Sequence, residues 1–202
     1  MNALIDEISK FTIGIDEVGR GCLSGPVVAC SILLKKTILT DPKHLQIVDS
    51  KTLSINKREK LAHFIKQHSV FNFGLSSVSE IEKNNILIAT KIAMLRSFNN
   101  FYKFDSPVKI DGPKFFELTK KTEFIINGDK KSRVIAAASI VAKSFRDQLM
   151  NRLSKKFPQY NWKKNKGYGT KEHIKMIEKF GVTKYHRKTF EPIKSMQSSN
   201  RR

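Results

Sequence analysis

The sequence predicts an α/β protein in which helices flank both faces of a mixed β-sheet. Short apolar runs of strand length alternate with segments whose apolar residues recur at helical spacing. Three of the predicted strands end in acidic residues, and helical patterns dominate the C-terminal part. The chain has 202 residues, 40% of them hydrophobic, which is enough for one domain with a substantial core. We expect that domain over residues 1–194, followed by a disordered basic tail at 195–202.

The first predicted strand, at residues 11–15, runs into the sequence GIDEVGRG at residues 14–21. Asp16 and Glu17 therefore stand side by side at a strand end, and Arg20 follows between two glycines. Two carboxylates about 4 Å apart repel each other by roughly 4 kcal/mol at an effective dielectric near 20, and a divalent cation relieves that repulsion. The motif predicts a metal site beside a phosphate-binding loop. Taken alone, it fits ordinary surface acids at a solvated strand end equally well.

The next elements continue the alternation of strands and helices. Apolar runs at 26–34 and 70–75 predict two strands, with a helix at 56–68 between them. Helical spacing of apolar residues predicts a further helix at 84–101. A proline-bearing break then precedes a short buried strand at 108–112, which ends in Asp-Gly.

The second half of the chain is predicted to be mostly helical. An apolar run at 124–129 ends in Gly-Asp and repeats the pattern of a strand that leads to an acid. A long helix follows, with a stripe made of Val134, Ala138, Val141, Phe145 and Leu149. A basic, glycine-bearing loop at 163–169 leads to a last helix near 171–180.

Open α/β sheets collect functional groups beyond their strand ends, so acids that are distant in the sequence can meet there. The convergent set predicted here is Asp16, Glu17, Asp111 and Asp129. Carboxylates suit Mg²⁺ or Mn²⁺, and zinc is disfavoured because no Cys/His cluster accompanies the acids. Two ions about 3.5–4 Å apart can neutralise both oxygens of a phosphodiester displacement. Adjacent strand residues point to opposite faces, so we expect the chain to bend at Asp16 and Glu17.

The charge of the chain indicates a polyanionic partner. Lys and Arg total 38 against 18 Asp and Glu, a formal net charge of +20. There is no apolar run of 18 or more residues, and the N-terminus lacks the order of a signal peptide, so nucleic acid is favoured over a membrane. Cys22 and Cys30 fit neither a redox pair nor a zinc knuckle, which favours the reducing cytoplasm.

The residues disfavour three other assignments: a dinucleotide-binding loop, histidine general bases, and Asp147 as a further acid of the site. The glycines after residue 18 have GxGxxxG spacing rather than the GxGxxG of a dinucleotide loop, and a strand follows them. No nucleophile or metal motif surrounds His173 or His186, so we expect both to hydrogen-bond locally or to touch phosphates. Asp147 lies inside the long helix, where we expect it to pair with a nearby base.

Ordered blocks over residues 11–194 resemble ribonuclease HII, the type 2 branch of the ribonucleases H. The blocks are GIDEVGRG at 14–21, DSK at 49–51, NIL at 85–87, IDG at 110–112, GD at 128–129, AASIVAK at 137–143, RD at 146–147, FPQY at 157–160, KGY at 166–168 and HR at 186–187. The resemblance implies a ribonuclease H-like sheet. It also implies hydrolysis of RNA in RNA–DNA hybrids and cutting 5′ of single ribonucleotides embedded in duplex DNA, which leaves 5′-phosphate and 3′-hydroxyl ends.

The resemblance also implies roles for particular residues. The matching acids of the family bind the metal, and they are the same four that the strand ends predict: Asp16, Glu17, Asp111 and Asp129. The loop of Gly19, Arg20 and Gly21 is implied to read the 2′-hydroxyl, which separates RNA from DNA. Tyr168 is implied to pack on the deoxyribose that follows the ribonucleotide. Candidate phosphate contacts, each with ion pairing to the acids as the alternative, are Lys51, Lys143 and Arg187.

Two alternatives stay open at this point. Ribonuclease HIII resembles this branch but typically has Lys at the position of Arg20 and an extra N-terminal domain, whereas about ten residues precede the first strand here. A basic nucleic-acid-binding module without catalysis would explain the charge but not the four acids. Cys22, where many members have Pro, and residues 189–192 depart from the family pattern without touching the proposed ligands. We expect the protein to act as a monomer.

Overall fold

The computed structural model describes residues 2–48 and 50–199 and has one five-stranded mixed sheet. The strands are β1 (Ile13–Val18), β2 (Val27–Leu34), β3 (Ser69–Ser76), β4 (Val108–Asp111) and β5 (Thr122–Ile125). Their order is β3-β2-β1-β4-β5, in which β1 to β3 are antiparallel neighbours and β4 and β5 run parallel to β1. The predicted mixed sheet is confirmed. Asp49, in one of the matched blocks, and residues 200–202 of the predicted tail lie outside the described residues.

Helices cover both faces of the sheet, as predicted. They are α1 (Asn2–Ser9), α2 (Ile55–Gln67), α3 (Val78–Phe98), α4 (Gly128–Lys131), α5 (Arg133–Lys156), α6 (Trp162–Asn165), α7 (Lys171–Phe180) and α8 (Ile193–Ser199). Side chains of β2 alternate between the faces: Cys30 and Ile32 pack in the cluster with α5, whereas Ala29 and Leu33 pack in the cluster with α3. No helix in the described ranges is long and apolar enough to cross a bilayer.

The strand predicted at residues 124–129 is the main error in the fold prediction. Strand β5 ends at Ile125, and Asp129 lies four residues later, in the first turn of α4. Asn127 adopts a left-handed conformation (φ 55°), which turns the chain out of the sheet before Gly128. Asp129 therefore approaches the sheet edge from a helix rather than from a strand end.

Helix α3 begins earlier than predicted, and it consists of two halves separated by a kink at Asn85. It starts at Val78, but Asn85 inside it has a non-helical backbone (φ 67°, ψ 170°). The Asn85 side chain accepts hydrogen bonds from the backbone N–H groups of Leu87 and Ile88, so it caps the second half of the helix. The sequence pattern from residue 84 onwards described this second half alone.

The sequence did not indicate α1, which supplies a buried carboxylate to the sheet. Glu7 is 2% exposed, and its oxygens accept hydrogen bonds from Lys109 Nζ (2.9 Å), Ser132 Oγ (2.7 Å), Arg133 N (3.0 Å) and Val134 N (3.2 Å). The carboxylate caps the N-terminus of α5 from a distant segment. It thereby ties the start of α5 to β4.

The C-terminal part forms a separate aromatic cluster around Tyr160 and Trp162. The tail expected from residue 195 starts within α8, so residues 195–199 are helical in the structure. His173 and His186 are fully buried in this cluster, with their Nε2 atoms 3.3 Å apart. Trp162 donates to Nε2 of His173, and the Thr183 backbone N–H donates to Nδ1 of His186, so the local hydrogen bonding expected for both histidines is confirmed.

This histidine pair gives the folded state a predictable sensitivity to acid. Burial and the neighbouring His173 lower the pKa of His186 to about 3, whereas an unfolded His titrates near 6.5. Below about pH 6.5 the unfolded chain binds a proton that the folded chain does not, so stability falls with decreasing pH down to the folded pKa. For one such His the loss between pH 7 and pH 5 is about 2 kcal/mol.

We expect His186→Gln to reduce this pH dependence, because Gln offers an amide in place of the imidazole and cannot be protonated in this range. Urea unfolding of both proteins at pH 7 and pH 5 measures it. The comparison of each protein with itself removes the constant cost of the substitution, and carboxylates that titrate near pH 5 contribute equally to both. An equal loss of stability in the two proteins would contradict a neutral, buried His186.

Candidate active site

The four predicted acids line one small polar cleft of about 200 Å³ at an edge of the sheet. Asp16 and Glu17 come from the end of β1, and Asp111 is the last residue of β4. Because β1 and β4 are parallel neighbours, their carboxyl ends meet at the same edge. Asp129 joins them from the first turn of α4. Residues more than a hundred positions apart in the sequence thus face one volume.

A hydrogen bond fixes the α4 turn relative to β4. Asp111 Oδ1 accepts from the backbone N–H of Gly128 at 2.6 Å. A Cβ at position 128 would lie 2.6 Å from Cδ1 of Ile135 and 3.1 Å from Asp111 Oδ1, so the contact leaves no room for a side chain. Asp111 therefore both lines the cleft and positions the segment that carries Asp129.

The bend expected at Asp16 and Glu17 is wrong. Strand pairing continues in register through Asp16–Cys30, Glu17–Ala29 and Val18–Val28, and the chain turns only at Gly19, where φ is 95°. The Glu17 backbone N–H donates to Asp16 Oδ1 at 2.7 Å, and the Glu17 side chain pairs with Arg20 at 3.2 Å. Both residues nevertheless line the cleft.

The electrostatics of the cleft oppose ionisation of the acids. Burial, followed by the charges of Glu17 and Asp111, raises the pKa of Asp16 well above its ordinary value. Burial also raises the pKa of Glu17, against the effect of Arg20, and burial raises the pKa of Asp111. Because the carboxylates repel one another when ionised, protons or cations bound in the cleft stabilise this arrangement of acids.

The cleft fits divalent cations on two observations. Its donor set consists of carboxylates, the hard oxygen ligands that Mg²⁺ and Mn²⁺ prefer. Glu17 Oε2 is buried and has no hydrogen-bond donor, and a buried acceptor of this kind calls for a partner. Within residues 2–48 and 50–199, no three acidic, His or Cys side chains are spaced to hold an ion as they stand.

Two lysines lie at the cleft and already contact carboxylates. Lys51 Nζ is 3.6 Å from Asp129 Oδ2, and its side chain is 80% exposed, so the structure favours the ion-pair alternative for this residue. Lys143 pairs with Asp147 at 2.8 Å rather than with one of the four acids. Asp147 also pairs with Arg58 at 3.1 Å, and its expected pairing with a nearby base is confirmed.

Tyr168 and Arg20 present exposed surface beside the acids. Tyr168 lines the cleft, and Lys143 Nζ lies 5.5 Å from the centroid of its ring. Arg20 is exposed next to Gly21 in the turn that follows β1. An aromatic ring and a basic turn thus flank the carboxylates.

Arg187 does not lie on the surface of the cleft, so its prediction as a phosphate contact is wrong. Its side chain is 0% exposed, and its guanidinium donates to the backbone carbonyl oxygens of Gly19, Arg20 and Gly25. A guanidinium buried behind the loop cannot reach a phosphate in front of it. The sequence offered only a His-Arg pair and no signal of this burial.

Sequence reasoning missed two serines of the cleft. Ser139 of α5 and Ser50 hydrogen-bond each other, with their Oγ atoms 3.0 Å apart. Both serines line the cleft. Each lies inside one of the blocks that carry the family resemblance, but the residue type of a serine among alanines or beside a lysine does not indicate a role in a metal site.

A mixed sheet that brings four carboxylates, a glycine-bounded arginine and two lysines to one edge defines a metal-dependent nuclease of the ribonuclease H class. A family model described as ribonuclease HII matches residues 13–193. The chain belongs to the ribonuclease HII family.

Individual relatives agree with this assignment. The chain is 50% identical over 188 residues to a ribonuclease HII of Pelagibacter ubique, covering 93% of this chain and 99% of that protein. The ribonuclease H2 of Pyrococcus horikoshii OT3 has the same fold, with a TM-score of 0.77 at 21% identity over 95% of this chain and 99% of that one. A Bst-RNase HIII solved in complex with Mn²⁺ gives a TM-score of 0.70 at 16% identity, covering 95% and 70% of the two chains.

Membership of this family establishes the general activity of the protein. The protein is a ribonuclease H, a divalent-metal-dependent hydrolase that acts on RNA–DNA hybrids. This excludes the alternative of a basic binding module without catalysis. The similarity to ribonuclease HIII lies in the fold, whereas the family model and the relative from Pelagibacter ubique are of ribonuclease HII.

Proposed function

We propose that this enzyme also cuts duplex DNA on the 5′ side of a single embedded ribonucleotide, leaving 5′-phosphate and 3′-hydroxyl ends, with two Mg²⁺ or Mn²⁺ ions. The observation that supports it most is the meeting of four carboxylates from three segments in one cleft. The ligands proposed are Asp16, Glu17, Asp111 and Asp129. That the chain acts as a monomer in the cytoplasm stays a prediction.

Within this proposal each group has a separate task. Divalent ions held by the four acids would activate a water molecule and neutralise charge on the attacking and leaving oxygens. The acids themselves hold and orient, and the raised pKa values of Asp16, Glu17 and Asp111 reflect a site that ionises fully only beside cations.

Substrate recognition is assigned to the two groups that flank the acids. Arg20 and Gly21 are exposed in the turn next to Glu17 and would read the 2′-hydroxyl of the ribonucleotide. Tyr168 would pack on the deoxyribose that follows. Lys51 and Lys143 place positive charge at the same cleft, where either can exchange its carboxylate for a phosphate oxygen.

The test is to map the cut positions on a DNA strand that contains one ribonucleotide and is annealed to complementary DNA. Mg²⁺ and Mn²⁺ are supplied separately, with an EDTA sample and an all-DNA duplex of the same sequence as controls. We expect one cut, immediately 5′ of the ribonucleotide, and none in either control. A duplex that is bound but stays intact with both metals would refute the proposed incision.

A further inference from the structure

We propose that Arg187 is a positioning residue that holds the turn at residues 19–21 from the protein interior, so that the backbone N–H groups of Arg20 and Gly21 face the substrate. This inference rests on the proposed ribonucleotide-reading role of the turn. It assigns to a buried side chain, which never touches nucleic acid, a share in the recognition of the 2′-hydroxyl.

The first observation is what the Arg187 guanidinium contacts. Nη2 donates to the carbonyl oxygens of Gly19 (2.6 Å) and Gly25 (2.8 Å), Nη1 donates to that of Arg20 (2.6 Å), and Nε donates to that of Gly25 (3.1 Å). All these acceptors are backbone oxygens of one loop. Hydrogen bonds from a charged donor are stronger than neutral ones, so the loop backbone is held firmly.

The direction of the free N–H groups follows from peptide geometry. The C=O of Gly19 shares a peptide group with the N–H of Arg20, and the C=O of Arg20 shares one with the N–H of Gly21. In a planar trans peptide, C=O and N–H point in opposite directions. Because Arg187 turns both carbonyls inward, the two N–H groups point outward, on residues that are exposed. Two consecutive outward N–H groups form a concavity that binds oxygen acceptors.

A second buried guanidinium extends this arrangement to the other recognition element. Arg146 is also 0% exposed, and it donates to the carbonyl oxygens of Ser24 (2.9 Å), Pro26 (3.0 Å) and Lys166 (2.8 Å). It therefore joins the far end of the loop to the segment that carries Tyr168. A Cβ at Gly19 would lie 2.2 Å from Arg146 Nε, so the turn must be glycine to close over this side chain.

Keeping two cations in the interior on carbonyl acceptors is unfavourable in itself. Burial lowers the pKa of Arg187 to about 10, and the charge of Arg146 contributes to this. A Leu or Met of similar size would fill the same space without desolvating a charge. The arrangement is understandable if the direction of the loop peptides matters to the function of the cleft.

Arg187→Lys tests the inference, because an ammonium on a shorter stem cannot satisfy three carbonyls in the same geometry. We expect kcat/KM on the one-ribonucleotide duplex to fall at least tenfold, while Kd for the all-DNA duplex changes less than twofold. The matched control is Arg96→Lys, which alters an arginine that also donates to a backbone carbonyl but lies outside the cleft. It should leave both quantities unchanged.

The opposing results are distinct. A parallel loss of affinity for the all-DNA duplex would show that Arg187 contacts phosphate, and an unchanged kcat/KM would show that the turn needs no anchor.

If the variant fails to fold, amide NMR of the wild-type protein in EDTA tests the inference instead. The Arg20 and Gly21 resonances should shift with the ribonucleotide duplex in a way that the all-DNA duplex does not reproduce. Identical shifts with both duplexes would overturn the inference, whereas wild-type protein that leaves the one-ribonucleotide duplex intact with both metals would refute the proposed function instead.

Discussion

Asp111→Asn is expected to keep the fold and duplex binding while lowering the cleavage rate by about a thousandfold or more. Asn retains an oxygen that can accept the Gly128 N–H, so the α4 turn stays in place. The substitution removes the negative charge of the proposed metal ligand at the point where β4 ends in the cleft. Loss of several kcal/mol of charge stabilisation in the transition state corresponds to a rate loss of this order, since each 1.36 kcal/mol is tenfold. Single-turnover cleavage of an RNA–DNA hybrid measures it.

Asp105→Asn is the matched control for this variant. Asp105 is an exposed acid that precedes β4, and its carboxylate and backbone carbonyl oxygens accept hydrogen bonds from Lys121 Nζ. Its removal should leave cleavage unchanged within about twofold, since exposed ion pairs contribute little. Duplex affinity should also survive in Asp111→Asn, because the substitution removes no Lys or Arg that could contact phosphate. A wild-type rate in Asp111→Asn would remove this residue from the metal site.

The parts of the fold that the sequence predicted are those governed by local patterns. β1, β2 and β4 are short apolar runs between glycine or proline signals, and the register of β2 follows its alternating faces. The error at β5 came from the apolar continuation through Ile126. That residue is exposed in the structure, and the Asn127-Gly128 pair after it is a turn signal that outweighs one more apolar position.

The site was predictable as far as strand ends determine it. The positions of Asp16 and Asp111 follow from parallel strands that end at one edge, a rule that needs no distant contact. The position of Arg187 does not follow from any such rule, because its burial depends on a loop more than 160 residues earlier in the chain. The residue type of Arg187 indicates a positive charge, and only the packing shows that its guanidinium donates to backbone carbonyl oxygens rather than to a phosphate.

Glycine at position 14, in the strand that carries the first two acids, is required by the approach of α5. A Cβ there would lie 2.2 Å from the carbonyl oxygen of Val134 and 2.8 Å from the backbone nitrogen of Ile135. The helix cannot simply retreat, because Glu7 holds its first turn through the N–H groups of Arg133 and Val134. Gly14→Ala is therefore expected to cost about 3 kcal/mol or more in stability.

Gly14→Ala also has a stabilising effect through the unfolded state, but this effect is too small to offset the steric cost. Replacing glycine restricts the unfolded chain and stabilises the protein by about 0.4–1 kcal/mol where the native backbone tolerates it. Gly21→Ala measures this unfolded-chain effect alone, because a Cβ at position 21 would meet no atom within 4 Å apart from its chain neighbours, and the φ of Gly21 is outside the left-handed region. Urea unfolding of both variants should show a large loss for position 14 and a change within about 1 kcal/mol for position 21. Equal stabilities would mean that α5 moves away from β1 freely, and the hold of Glu7 on its first turn would then be weak.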